Sequence, residues 1–293
     1  MKKSYQTKLI LLFLLTILTL YLLNSNIVIS SILEYTELFI KKLFPTSFII
    51  YIVSSLLINY QIIEFISKLS KNPGILYVTL MSIICGFPSG AKNIKELSEK
   101  NYISKDTCNY LLKFTHFPNP LFILGSISQL LNINITLKIY LSLLLSNFII
   151  ALVAYKKTTS NSIPHPTQLN FSSALSNAIT SSFKLQLLIY GTNLFFHLIA
   201  VIINNYIKTE PLIFVIINGI FDLIKGIYSV SLISSEIIKC VLIITFISFG
   251  SISIHIQIKS IITDANLNYK VFLQGRLFAT TIAIISFLII YKF

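Results

Sequence analysis

Charge is what this 293-residue chain has least of: 11% of its residues are charged, and only ten are Asp or Glu. A soluble domain carries about 25% charged residues, so a water-soluble enzyme core, a disordered chain and a collagen-like repeat all fit this composition poorly. Cysteine is scarce as well. Cys85, Cys108 and Cys240 are odd in number and lack CxxC spacing, which argues against a disulfide framework or a zinc site. No GxSxG elbow, HExxH, P-loop or GxGxxG is present, so none of the residue patterns that activate a nucleophile, a metal or a nucleotide is available. The chain reads as a non-enzyme, with no catalytic residue, metal ligand or cofactor expected. Basic residues outnumber acidic ones, 23 to 10, but no basic run interleaves with aromatics, so no nucleic-acid partner is expected.

What the chain does have is apolar length. Hydrophobic residues make up 55%, mean hydropathy is +0.81, and a helix needs about 20 apolar residues to cross a bilayer. Apolar stretches fall near residues 9–29, 44–60, 74–86, 114–131, 133–155, 183–207, 211–233, 237–258 and 272–291. The expected fold is all-α: a polytopic membrane protein of about eight transmembrane helices with interrupted or re-entrant segments, and the lipid bilayer as first partner. The 74–86 stretch is too short to cross and ends in Gly86-Phe-Pro-Ser-Gly90, so it reads as re-entrant, its backbone covered by protein or lining a cavity. The basic start and the first apolar run lack a small-x-small cleavage site, which predicts an uncleaved first helix over 1–30.

Lysines set an expected orientation. With a cytoplasmic N-terminus and 74–86 dipping in and returning, most lysines, including those of 91–113, fall inside. Lys41, Lys42, Lys138, Lys208, Lys259 and Lys270 are left outside. That distribution obeys the positive-inside rule. Between 156 and 182 the chain is rich in Ser, Thr, Asn and Pro, which reads as a cytoplasmic linker between membrane halves at 31–155 and 183–293. His165, between Pro164 and Pro166, reads as a solvated loop residue. Each half shows a helix, a Gly/Ser-interrupted segment, a polar connector and a last helix, with the relation of the halves, parallel or inverted, left open. Paired interrupted segments point to a transporter's midplane binding site.

Four polar constellations supply candidate site residues. In Gly86-Phe-Pro-Ser-Gly-Ala-Lys92, Pro88 removes an amide donor and Gly86 and Gly90 permit bends. A helix broken there frees backbone groups to coordinate a solute near Ser89 and Lys92, or forms a plain membrane-exit turn. In His116-Phe-Pro-Asn-Pro120, His116 and Asn119 are polar groups at apolar depth, where such groups face the bundle or a pathway; a capped kink is the alternative. Asp222 is a carboxylate within an apolar stretch, a functional site by default: a proton or coupling-ion site, or one half of a local pair with Lys225. In Gly250-Ser-Ile-Ser-Ile-His-Ile-Gln257, Ser253, His255 and Gln257 alternate with isoleucine in an unwound or kinked helix. Arg276 is expected to snorkel to the interface in preference to pairing with Asp222, and Asn193 and His197 to be ordinary interhelical hydrogen bonders.

At these residues the sequence resembles the sporulation integral membrane protein YlbJ family, whose members carry a nucleoside-recognition, or Gate-type, domain. Ile84-Cys-Gly-Phe-Pro-Ser-Gly-Ala-Lys92 is similar to a Gly-Tyr/Phe-Pro-x-Gly-Ala-Lys signature. Phe114-Thr-His-Phe-Pro-Asn-Pro-Leu-Phe-Ile-Leu-Gly125 and Phe249-Gly-Ser-Ile-Ser-Ile-His-Ile-Gln257 are similar to two further family blocks. In this chain Ser251 replaces a glycine, Asp222 stands where a glutamate is expected, and Lys225 replaces a small polar residue. The resemblance implies two Gate-like halves and a role in spore cortex or envelope formation through transport of a small solute or ion. The solute would meet Gly86, Pro88, Ser89, Gly90, Lys92, His116, Asn119, Asp222, Ser253, His255 and Gln257. Other sporulation membrane proteins or a second copy of the chain are the implied partners. The competing expectation is a non-transporting scaffold for envelope assembly.

Overall fold

The computed structural model describes residues 2–155, 170–207 and 209–292, and among these there is no strand. His165, its flanking prolines and the rest of 156–169 lie outside the described residues, as does Lys208.

The chain opens with α1 (Lys2–Leu23), turns at Asn24 into α2 (Ser25–Leu38), and passes through one π turn (Phe39–Leu43) into α3 (Phe44–Asn59). α2 and α3 make a single path bent by 51°. After α4 (Ile62–Ser67) comes α5 (Pro73–Cys85), which stops at Gly86 and restarts as α6 (Ser89–Glu99). Gly74 of α5 abuts Leu97 and Ile103, while Gly90 abuts Ser82 and Thr115. The two helices are therefore antiparallel, and both ends of the hairpin lie on one face of the protein. The expected re-entrant segment is present.

α7 (Lys105–Phe114) starts at the predicted cap: Ser104 Oγ accepts from the Thr107 amide at 3.3 Å. α7 ends at Thr115, and the chain resumes as α8 (Pro120–Ser126), extended by a 3-10 turn (Ile127–Gln129). Asn119 Oδ1 accepts from the Leu121 amide at 2.8 Å, and Pro120 at the first helical position needs no amide partner. α9 (Ile133–Val153) then returns. Thus 91–113 is mostly packed helix, α6 and α7 joined by a short turn at 100–104.

α10 runs unbroken from Phe171 to Tyr206, so its first turns occupy 171–182, inside the stretch read as a linker. At 1.5 Å per residue a 36-residue helix is about 54 Å long, more than the bilayer thickness. The second half then repeats the order of the first. α11 (Pro211–Phe221) breaks at Asp222 and restarts as α12 (Leu223–Ser229), extended by a 3-10 turn (Val230–Leu232). α13 (Glu236–Phe249) breaks at Gly250 and restarts as α14 (Ile252–Thr263), and α15 (Tyr269–Tyr291) closes the chain. The alternating Ser/Ile pattern at 251–257 is therefore helical.

Gly219 abuts Gly226, and Asn218 donates to Ser229 at 3.1 Å, so α11 and α12 form a second hairpin. The run at 211–233 enters and returns instead of crossing. Its ends sit with Tyr206, Glu236 and Tyr291, whose hydroxyl donates to Glu236 at 2.7 Å. The first hairpin opens on the opposite face, where Lys100 reaches Asn59 at 2.6 Å and Lys95 reaches Asp264 at 2.7 Å. The two halves are consequently inverted. The Lys95–Asp264 pair also corrects the lysine assignment, because Lys259 and Lys270 now share a face with Lys95, and Lys239 moves to the other.

Five helices are long and apolar enough to cross a membrane alone among the described residues, six if the bent pair is one span.

Arg276 does not snorkel. It is fully buried, and its guanidinium donates to Lys113 O at 2.8 Å, Asn147 Oδ1 at 3.0 Å and Ser248 O at 3.3 Å. Lys113 and Ser248 lie in the last turns of α7 and α13, where carbonyls lack helical partners and carry partial negative charge. One cation thus serves the C-terminal ends of both broken crossings. Gly275 lets this happen, since a Cβ there would collide with the Lys113 carbonyl.

Candidate functional site

Each half contributes two chain breaks, and the four helices that restart after them converge. A cavity of about 80 Å³ is lined by Phe87 and Pro88 before α6, Asn119 and Phe122 at α8, Leu223 and Ile224 at α12, and Ile254 and Gln257 on α14. Ser47 and Tyr51 of α3 and Gln186, Ile189 and Asn193 of α10 complete the wall. One water needs about 10–15 Å³ of such a cavity, so it has room for several waters or a small solute. No charged side chain lines it. Its polar atoms are mostly carboxamides: Gln186 donates to Ser47 at 2.6 Å, and Gln257 donates to Thr192 at 2.9 Å and to Asn193 at 2.8 Å.

The expected site residues divide by position. Pro88, Asn119 and Gln257 line the cavity. Gly86 forms the hairpin tip behind it at φ 73°, ψ 178°, and a Cβ there would fall 2.7 Å from Asn119 Cβ. Only glycine populates that backbone region readily. Ser89 Oγ donates to the Gly86 carbonyl, and Gly90 lies against Thr115. These two hold the tip's shape.

Lys92 points away, bonding Ser55 Oγ at 2.6 Å, and joins a separate cleft of about 580 Å³ with Glu96, Lys184 and Asp264. The cavity and this cleft follow one another along α3 and α10, with Tyr51 and Lys92 between them: Lys92 Nζ donates to Tyr51 O at 3.4 Å.

His116 and His255 sit in an aromatic layer beside the cavity. His116 stacks on Phe87 with ring centroids 4.3 Å apart, both histidines pack on Phe272, and His255 Nδ1 lies 2.7 Å from the Tyr269 hydroxyl. Ser253 bonds Ser251 at 2.7 Å.

Asp222 stands behind the α12 wall. It is fully buried and caps α12 through the Ile224 amide at 3.1 Å. The local pair with Lys225 does not form, because Lys225 bonds Glu34 of α2 at 2.8 Å. Asp222 instead faces the Tyr35 hydroxyl at 3.4 Å and His197 Nδ1 at 3.7 Å.

Tyr35, Gln186, Asn193 and His197 are the contributors the sequence reading missed or took as ordinary. Asn193 and His197, one turn apart, carried a readable signal: both are polar on one face of an otherwise apolar helix, where polar groups are costly. Tyr35 carried none, since an aromatic there looks like any lipid-facing residue.

No family model and no solved structure matches this chain. Over 86% of its length it is 24% identical to the sporulation integral membrane protein YlbJ of Bacillus subtilis (strain 168), covering 74% of that protein. The all-helical, multi-helix membrane architecture agrees with that likeness, and the chain is similar to the YlbJ sporulation integral membrane protein over most of its length.

Proposed function

We propose that the protein is a secondary-transporter-like membrane protein that moves a small polar solute or ion needed for spore cortex or envelope formation, and that the cavity between the four chain breaks holds it. One observation carries this reading: two inverted hairpins and two broken crossings all contribute their restarting turns to the same cavity. Interrupted helices at a repeat interface, lining a midplane cavity, are how secondary transporters place free backbone groups around a solute. The uncharged wall favours a solute recognised by hydrogen bonds and ring contacts, because an ion without a counter-charge is costly to desolvate.

The face carrying Lys95, Lys100 and Lys184 is the cytoplasmic one on the positive-inside rule, and the 580 Å³ cleft then forms the cytoplasmic vestibule. The cleft leads toward the cavity along α3 and α10, as expected of a binding site approached from one side.

Purified protein in proteoliposomes, screened for uptake and thermal shift against nucleosides, amino acids and divalent ions, tests the proposal. A solute that raises the melting temperature and is taken up should lose both effects in Gln257→Leu and Asn119→Ala. If the vesicles take up none of these, and no solute's thermal shift depends on the cavity residues, the transport reading fails and a scaffold role takes its place.

A further inference from the structure

Two buried atoms face each other without partners. Asp222 Oδ2 and His197 Nδ1 lie 3.7 Å apart, the two side chains 0% and 2% exposed, and neither atom has a hydrogen-bond partner among the described residues. Leaving a buried carboxylate oxygen and a buried ring nitrogen both unsatisfied is costly, and one proton on either atom turns the gap into a donor–acceptor contact. With one proton the pair is neutral overall, as Asp-H with neutral His or as Asp⁻ with His⁺. With none it leaves a bare charge at depth, and with two it leaves the opposite one.

A metal ion suits the place poorly. Among the described residues no group of three or more His, Cys, Asp or Glu is placed to hold one, and a hard cation asks for six or more oxygens.

The remaining charges around the pair are accounted for. Lys225 of α12 and Glu34 of α2 neutralise one another at 2.8 Å. On α13 and α14, Glu236 is held by Tyr291 and His255 is beside Tyr269, while Cys240 is a buried thiol and Lys239 and Lys259 lie toward the two outer ends. Tyr35 is the other titratable group in contact.

A line of polar side chains joins this pair to the cavity. Gln257, on the cavity wall, donates to Asn193 Oδ1 at 2.8 Å. The Asn193 carboxamide lies beside the Tyr35 hydroxyl, and Tyr35 donates to Asp222 Oδ1 at 3.4 Å. The two observed bonds, at either end of the line, both donate toward the carboxylate, and neighbouring hydrogen bonds polarise one another in a low-dielectric interior. A solute that competes for Gln257 alters the last acceptor in the line.

We propose that Asp222 and His197 together bind a single proton, and that Tyr35 and Asn193 link its occupancy to the cavity, making the proton the coupled ion. The linkage rests on the transport reading, whereas the proton site does not.

The test is a pH titration of the full-length protein in phosphatidylglycerol nanodiscs. Isotope-edited infrared difference spectra would follow aspartate carboxyl and histidine ring bands. Wild type should show one titration removed by Asp222→Asn and shifted by at least about one pH unit, tenfold in proton affinity, by His197→Gln. Tyr35→Phe keeps the ring and the packing. It should leave the titration present while abolishing the shift of about half a unit or more that Gln257→Leu otherwise produces. A titration unaffected by Asp222→Asn overturns the proton site. One that depends on Asp222 but ignores both Gln257→Leu and Tyr35→Phe overturns the linkage. Absence of solute uptake with the titration intact would instead fault the transport reading alone.

Discussion

The two hairpin tips occupy equivalent places in inverted halves, yet they make different demands on their residues. The first tip, at Gly86, is a matter of backbone shape: a positive φ, a serine closing onto the Gly86 carbonyl, and the Asn119 amide on Cys85 O at 3.3 Å. The second tip, at Asp222, has extended backbone with φ −137° that any residue can adopt, and its demand is electrostatic. One architecture was filled with steric precision on one side and a buried carboxylate on the other. Substitutions should therefore separate stability from function in opposite ways at the two tips.

The largest effect should come from the residue that serves both halves. Arg276→Leu leaves two helix-end carbonyls and the Asn147 amide oxygen unpaired in the interior. Each buried acceptor left unsatisfied costs about 1–3 kcal/mol, so with three of them the variant should lose most of its folded yield, read by detergent thermal denaturation.

Gly86→Val comes next. Strain at positive φ and collision with Asn119 each cost about 1–3 kcal/mol, so melting temperature should fall clearly, and Gly275→Ala should fall by the smaller, purely steric amount.

Asp222→Asn should behave differently. The isosteric amide retains an oxygen to cap α12, so stability should change by less than about 1 kcal/mol while uptake is lost. A fall as large as that of Gly86→Val would erase the contrast between the tips.

Glu34→Gln should be the mildest. Its pair with Lys225 lies on the protein surface, the two side chains 66% and 32% exposed, and where water reaches such pairs they contribute about 0–1 kcal/mol.

Much of the fold was legible because lipid allows few solutions. Apolar runs gave the helices, Gly86-Phe-Pro-Ser gave the first break, and Ser104 gave its cap. The second hairpin was not legible. Its apolar run at 211–233 is long enough to cross, and the packing of Gly219 on Gly226 and the Asn218–Ser229 bond hold it folded back. That one misreading reversed the sides of Lys239, Lys259 and Lys270 and hid the inverted relation.

Arg276 was misplaced for a related reason: its partners are carbonyls at the ends of α7 and α13, which have no signature in side-chain sequence. The site was half readable. Pro88, Asn119 and Gln257 announced themselves through motif and polarity, whereas Tyr35 and Gln186 reach the cluster only through tertiary packing.

The central claim is that two hairpins enter from opposite faces and meet between the breaks. Labelling with a membrane-impermeant maleimide tests it most directly, using single cysteines at Lys95, Lys239 and Asp264 in a background where Cys85, Cys108 and Cys240 are serine. Lys95→Cys and Asp264→Cys should react from the same side of sealed membranes, and Lys239→Cys from the other. Reaction of Lys95→Cys and Lys239→Cys from one side, with Asp264→Cys opposite, would make 211–233 a crossing segment and contradict the account.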